Sequence, residues 1–369
     1  MKKQKRILFF SKTPGYIGGG EIFLVDLINE LQDEYEIGCI CEEESQLSNF
    51  LSNKIAFFHC DLYWSRKLKN YFSNLKNFSQ AVTILKNWTP DLLYANSSHI
   101  NPFAAKLAKK FSLPLITHVQ DFFQLPEKDK YRFRESTHII TCSQAVKELV
   151  QGFNPNVDVI YYGISSEKFH PFLKSDKSNL RYKLKLEKHF LIGNIGSLIP
   201  KKGWLEFIEV AQKIAAEIPE SRFLIIGEIK EDKFVQELRR RVDKYGLNGK
   251  VIFTGFIKEV EKAISALDIL LFPTHKEALG RVIIEAFACK VPVITTLSGG
   301  PQEIVQDGID GFLVPVGDID SMVEKVWLLY RDEEFREFIV ENAYRKFLTE
   351  FTIDKMVFRI KKIINKYIK

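Results

Sequence analysis

The chain has 369 residues, 46% of them hydrophobic and 27% charged, a balance that fits a folded globular protein and excludes a disordered one. A formal charge of +6 admits anionic small ligands or an anionic membrane surface and is too weak to predict nucleic-acid binding. No run reaches the roughly 18 apolar residues of a membrane span. The five cysteines, Cys39, Cys41, Cys60, Cys142 and Cys289, lack any CxxC or zinc-ligand spacing, so reduced thiols in a cytoplasmic protein are expected.

In chain order, residues 1–6 are basic and lead into an apolar run at 7–11, too short for a signal-peptide core, which reads as a first strand. Gly18, Gly19 and Gly20 follow, then a helical pattern over 21–31. Strands are predicted at 36–41, 55–58, 92–94, 115–119 and 138–141, with helical patterns between most of them. The alternation restarts with a strand at 190–196 and a helix at 203–217. Strands at 223–226, 251–253, 269–272 and 293–295 alternate with helices near 230–245, 259–266 and 280–289. The tail, 332–369, reads as helical throughout, and the polar, lysine-rich stretch 171–188 reads as the join between two halves. Such alternation predicts an α/β protein with two doubly wound parallel sheets. Ligands bind such sheets outside the carboxyl ends of their strands, so the loops after strands are where chemistry is expected.

The richest of those loops begins after the strand at 269–272. Glu277 lies in it, and Glu285 lies eight residues on, within the next helix and among apolar neighbours. A carboxylate there needs partners if the helix is buried, and the paired hydroxyls of a ribose would serve. The plainer alternative is an Arg281–Glu285 pair at i, i+4 on an exposed helix face, contributing about 0.2–0.5 kcal/mol. Charge placement favours a ligand. Lys201 and Lys202 sit just before the helix beginning near Gly203, and Arg281 sits in the first turn of the helix beginning near Gly280. Cations oppose the macrodipole at a helix N-terminus, so two such helices suggest that an anion such as a diphosphate occupies the space.

The block HKEALGRVIIEAFACKVPVITTLSGGPQEIVQDGIDGFLVP, residues 275–315, resembles the donor-binding core of glycosyltransferase family 4. Other pieces agree in order: Gly18-Gly19-Gly20-Glu21; Ser143-Gln144-Ala145-Val146; Tyr162-Gly163-Ile164 through Phe169-His170-Pro171; the loop from Gly196 to Gly203; and Phe253-Thr254-Gly255. The resemblance covers nearly the whole chain. It implies the GT-B architecture, two Rossmann-like domains facing across a cleft. An acceptor-side domain is expected over 1–165, a nucleotide-sugar domain over 166–351, and a helix over 352–369 crossing back to the first.

The implied activity is retaining, metal-independent transfer of a hexosyl-type sugar from a UDP- or GDP-sugar to a glycan or lipid-linked acceptor, in cell-surface polysaccharide or glycoconjugate synthesis. No cofactor is expected beyond the nucleotide-sugar co-substrate, no metal and no nucleic acid. The expected place is the cytoplasm, with peripheral contact to the inner membrane face as a further option. Residue by residue, the resemblance implies that Glu277 bonds donor-sugar hydroxyls and Glu285 holds the ribose. Lys202 neutralises the diphosphate with help from backbone amides around Leu279, Gly280 and Arg281. Gly18 and Gly19 let the N-terminal loop approach the phosphate and acceptor, Ser197 lies in the phosphate loop, and Gly255 lies in the loop beside the base.

Three positions depart from the family pattern. Ser197 stands where the family often has arginine, and Tyr162 stands where an asparagine is usual. The family's active-site histidine falls at Gln120, with His118 two residues earlier; on a strand the two share a face, and either could make the sugar contact. These departures keep open a degenerate, non-catalytic transferase subunit, and the shared fold keeps open a sugar-nucleotide epimerase or phosphorylase.

Other signals are weaker. Gly18-x-Gly20 lacks the third glycine of a dinucleotide fingerprint, since Phe23 stands there. Asp318-x-Asp320 resembles a metal-binding pair but reads better as a helix N-cap. The segment 64–88 mixes Arg66, Lys67, Lys69, Lys76 and Lys86 with Tyr71, Phe72, Leu75 and Phe78. It reads as a helix packed on the first sheet, with a membrane-surface role as the alternative.

Overall fold

The computed structural model describes residues 4–12, 18–42, 46–62, 71–123, 129–172, 180–229 and 233–368. They form two compact units, Met1–Gly163 together with Ile353–Lys369, and Ile164–Thr352.

The first unit runs β1 (Arg6–Phe10), α1 (Gly19–Leu31), β2 (Glu36–Cys41), β3 (Ala56–His59), α2 (Tyr71–Trp88), β4 (Leu92–Ala95), α3 (Asn101–Phe111), β5 (Leu115–Val119), β6 (His138–Thr141), α4 (Gln144–Val150) and β7 (Val157–Val159). Its seven strands pair in parallel in the order β3-β2-β1-β4-β5-β6-β7. Sheets of this kind are covered on both faces, so strands read as continuous apolar runs. Ile7, Leu8, Phe9 and Phe10 accordingly have no exposed surface. One face is closed by Ala81 and Leu85 of α2 with Phe103 and Leu107 of α3. Helix α2 therefore packs on the sheet while leaving Phe72 and Leu75 exposed; Arg66, Lys67 and Lys69 lie outside the described residues.

The second unit runs β8 (Phe190–Ile195), α5 (Trp204–Glu217), β9 (Ser221–Ile226), α6 (Lys233–Lys244), β10 (Val251–Gly255), α7 (Val260–Ser265), β11 (Ile269–Phe272), α8 (Arg281–Ala288), β12 (Val293–Thr296), α9 (Pro301–Ile304), β13 (Phe312–Val314), α10 (Ile319–Arg331) and α11 (Glu333–Glu350). Six parallel strands take the order β10-β9-β8-β11-β12-β13. Trp204, Phe207, Ile214, Phe223, Val235 and Leu238 belong to its apolar core.

In each sheet the strand order reverses once, between β1 and β4 and between β8 and β11. At such a reversal the flanking loops diverge and leave a crevice beyond the strand ends, which is where ligands bind.

Helix α12 (Ile353–Tyr367) belongs to the first unit, although it ends the chain. Its Met356, Val357, Ile360 and Ile364 are buried. Polar ties hold it along its length: Lys361 to Glu34, Asn365 to the Tyr35 hydroxyl at 2.8 Å, and the Tyr367 hydroxyl to His138 Nδ1 at 3.1 Å.

Some expectations are corrected. The tail is helical over Glu333–Glu350 and Ile353–Tyr367, and Phe351 and Thr352 separate the two helices where a boundary near 351 was expected; there the Ile164 amide donates to the Phe351 carbonyl at 2.8 Å. The division between the two units falls at Gly163–Ile164, ahead of the stretch 171–188 that was read as the join. Arg181 ties that stretch into the second unit through the Ala266 carbonyl and Asp268, while 173–179 lie outside the described residues. β7 and β13 were not expected; each has three residues, too few for a periodic signal.

Candidate active site

The reversal of the second sheet gathers Lys202, Glu277, Arg281 and Glu285. After β8 the chain makes a one-turn helix at Pro200–Lys202 and enters α5 through Gly203. Gly203 has φ +70, and a Cβ on it would lie 1.7 Å from the Pro273 carbonyl oxygen, so only glycine passes there. That close approach brings the loops after β8 and β11 together. The Lys201 carbonyl accepts from the His275 amide at 2.8 Å and from the Thr274 hydroxyl at 3.0 Å.

Glu277 is fastened on its other side. Its amide donates to the Ser298 carbonyl at 3.0 Å, and its carbonyl accepts from the Gly300 amide at 2.9 Å. Held from both sides, the loop directs the Glu277 carboxylate onto Lys202 Nζ, and the two form an ion pair that is mostly enclosed. Lys202 Nζ also stands 5.2 Å from the centre of the Phe272 ring.

Helix α8 begins beside this pair. Its N-cap is Gly280, which has no side chain to satisfy the first amides of the helix. Leu279 is 2% exposed, so backbone rather than side chain is what this turn offers. One turn into the helix, Arg281 Nε donates to Glu285 Oε1 at 2.8 Å. The i, i+4 pair foreseen as the plainer alternative is therefore present, but it is not a surface pair: Glu285 is 6% exposed.

The remaining donor-side residues fall at the same end of the sheet. Ser197 follows β8 as an exposed residue whose carbonyl accepts from Trp204 Nε1 at 2.9 Å. Gly255 ends β10 at a break in the strand register, with its carbonyl on the Gly227 amide at 3.2 Å. Asp318 is the N-cap of α10, accepting from the Ser321 amide at 3.0 Å, and Asp320 pairs with Lys213, so the Asp-x-Asp spacing is a helix start.

The first unit separates the two candidates that alternation placed on one face. His118 lies inside β5 with no exposed surface, its Nδ1 3.0 Å from the Tyr94 hydroxyl and its ring 4.4 Å from that of Phe23. Its Nε2 has no hydrogen-bond partner, and burial depresses its pKa to about 3, so it is a neutral core imidazole. Gln120 follows the last residue of β5, is half-buried, and donates from Nε2 to Asn96 Oδ1 at 2.7 Å. Gly18 and Gly19 open α1 at the reversal of this sheet, where Glu21 turns back to accept from the Gly18 amide at 3.0 Å.

Sequence reasoning passed over Asn96 and Asn194. Asn194 is fully buried in β8 and its Nδ2 reaches the Lys202 carbonyl at 3.4 Å. Both are amides at the carboxyl ends of central parallel strands, beside a reversal of strand order. That placement was the available signal.

Residues 17–168 match the family described as Glycosyltransferase Family 4, and residues 176–346 match Glycosyl transferases group 1. The UDP-Gal:alpha-D-GlcNAc-diphosphoundecaprenol alpha-1,3-galactosyltransferase of Escherichia coli is 25% identical over 351 residues, covering 89% of this chain and 88% of that protein. The capsular polysaccharide biosynthesis glycosyltransferase CapM of Staphylococcus aureus is 28% identical, over 67% of this chain and 66% of that one. Among solved structures, Anabaena HepE in complex with UDP-glucose superposes with a TM-score of 0.85 at 23% identity, over 98% of this chain and 99% of that one. This last likeness concerns the fold, which is that of the GT-B glycosyltransferases.

Proposed function

The chain belongs to glycosyltransferase family 4, and we propose that it is a retaining transferase that moves a sugar from a UDP- or GDP-sugar to a glycan or lipid-linked acceptor. The observation that carries the reading is the Lys202–Glu277 pair at the β8/β11 reversal, beside the open N-terminus of α8. An ion pair in that position is ready for exchange. A nucleotide sugar brings a diphosphate for Lys202 and hydroxyls for Glu277, so each partner of the pair gains a new one. The amides at the start of α8 donate to the same diphosphate, because a helix N-terminus with unsatisfied N–H groups attracts anions. As the bond from the sugar to the diphosphate breaks, negative charge grows on the leaving oxygen. Lys202 and these amides stabilise that charge, the work a divalent metal does in other transferases. Glu285, enclosed with Arg281, receives the ribose hydroxyls.

The acceptor class is supported by the E. coli relative, whose name specifies a sugar on a diphospholipid. Among the described residues no helix is long and apolar enough to cross a membrane.

The test is a panel of UDP-, GDP- and ADP-sugars. Donor binding is read by thermal shift, and nucleotide release is read with and without acceptor saccharides, in the presence of EDTA or of Mg²⁺ and Mn²⁺. Acceptor-dependent release that survives EDTA, with the donor's anomeric configuration kept in the product by NMR, is the expected result. Turnover of donor without acceptor, or absolute dependence on added metal, overturns the reading.

A further inference from the structure

At the reversal of the first sheet, three groups form a relay of fixed polarity. Asn96 follows β4, is 4% exposed, and is anchored by its own amide on the Phe10 carbonyl at 3.0 Å. Its Nδ2 donates to the Gly20 carbonyl at 3.1 Å, and its Oδ1 accepts from Gln120 Nε2 at 2.7 Å. A backbone carbonyl only accepts, so Gly20 decides which way the Asn96 amide turns. An amide oxygen likewise only accepts, so Asn96 decides which way the Gln120 amide turns. Gln120 is thereby left with Oε1 directed away from Asn96 and against Gly20, where a Cβ would lie 2.3 Å from it. Position 20 thus meets both ends of the relay, through a backbone carbonyl that any residue supplies and through a space beside Gln120 that glycine leaves open.

We propose that Asn96 is a positioning residue that holds Gln120 Oε1 as a fixed hydrogen-bond acceptor for a sugar hydroxyl at the carboxyl edge of the first sheet. The proposal rests on the transferase reading above. Its chemistry differs from that of an imidazole at the same place. An amide oxygen accepts equally at every working pH, whereas a free amide would present its oxygen or its NH₂ with little preference. Asn96 removes that ambiguity before the substrate arrives, which is what preorganisation of a polar group means.

A double-mutant cycle tests it, using the full-length chain and the nucleotide sugar that the donor panel selects. Asn96→Ala is expected to lower kcat roughly tenfold, the effect of about one hydrogen bond, with KM for the nucleotide sugar nearly unchanged. In a Gln120→Ala background the same substitution is expected to change kcat less than twofold, because nothing is left to orient. Gly20→Ala approaches the relay from the other side. Alanine suits the first turn of a helix, so the fold is kept while the new methyl displaces Gln120 Oε1. Its effect should likewise vanish in the Gln120→Ala background. Equal losses from Asn96→Ala with and without Gln120 would overturn the proposal, as would wild-type kcat in both Asn96→Ala and Gly20→Ala. Denaturant unfolding of the same four proteins of the Asn96/Gln120 cycle reads the coupling without catalysis, and strict additivity there also overturns it. A wild-type chain that turns over no nucleotide sugar overturns the transferase reading and with it the substrate role assigned here, while the unfolding cycle still decides whether Asn96 holds Gln120.

Discussion

Arg281 Nε donates to Glu285 Oε1 across 2.8 Å on one face of α8, and both side chains are enclosed rather than at the surface. Exposed i, i+4 pairs contribute only tenths of a kcal/mol, whereas removing one partner of a buried pair costs about 3–5 kcal/mol because the other charge stays behind. Glu285→Ala should therefore lower the unfolding temperature as well as donor affinity. Glu285→Gln keeps an oxygen for Arg281 and is the cleaner probe. It should weaken nucleotide-sugar binding about 10- to 100-fold, the range for hydrogen bonds to a charged group, in calorimetric titration. Unchanged affinity would remove Glu285 from the ribose site.

Lys202→Ala should lower kcat by ~10²–10³, the range for losing one donor to a developing anion. Because Glu277 then lacks its present partner, the double variant Lys202→Ala/Glu277→Gln should be more stable than Lys202→Ala alone in thermal unfolding, without recovering turnover. Activity of Lys202→Ala within a few-fold of wild type would make the lysine a bystander.

His118 gives a dependence on pH with a definite sign. Its pKa is about 3 in the folded chain against the ordinary 6.5, since burial disfavours the charged ring. Below pH 6.5 the unfolded chain takes up a proton that the folded chain refuses. The folded state then loses about 1.4 kcal/mol per pH unit at this site until the pH reaches the folded value. Above 6.5 the site contributes no slope. His118→Gln removes the titration and leaves a polar partner for the Tyr94 hydroxyl. Denaturant unfolding from pH 7 to 4 should therefore show a shallower loss for the variant; parallel curves would refute the assignment.

Ile360 is fully buried on α12, within the unit that begins the chain. Ile360→Ala should cost about 2–5 kcal/mol by opening a cavity there. Calorimetry should show a lowered transition, while nucleotide-sugar binding by the second unit persists at temperatures below it. A change under 0.5 kcal/mol, estimated as the ordinary effect of a surface substitution, would mean that this face is not packed.

The sequence alone determined the order of elements, the two parallel sheets, and the segment from Glu277 to Glu285. Each of these is written locally, as an apolar run, a turn glycine or a charge out of place at a helix start. Three-residue β7 and β13 escaped, because pairing with a neighbouring strand, not periodicity, makes so short a segment a strand.

Only the tertiary structure separates His118 from Gln120 by their exposure. Alternation puts both on one face, but every residue of β5 is buried, since a central parallel strand is covered on both sides. What grants access there is the end of the strand, and β5 ends at Val119. Asn96 was decided in the same way. Its partners Gly20 and Gln120 stand 76 positions before it and 24 after it, and only the reversal of strand order between β1 and β4 brings the three together.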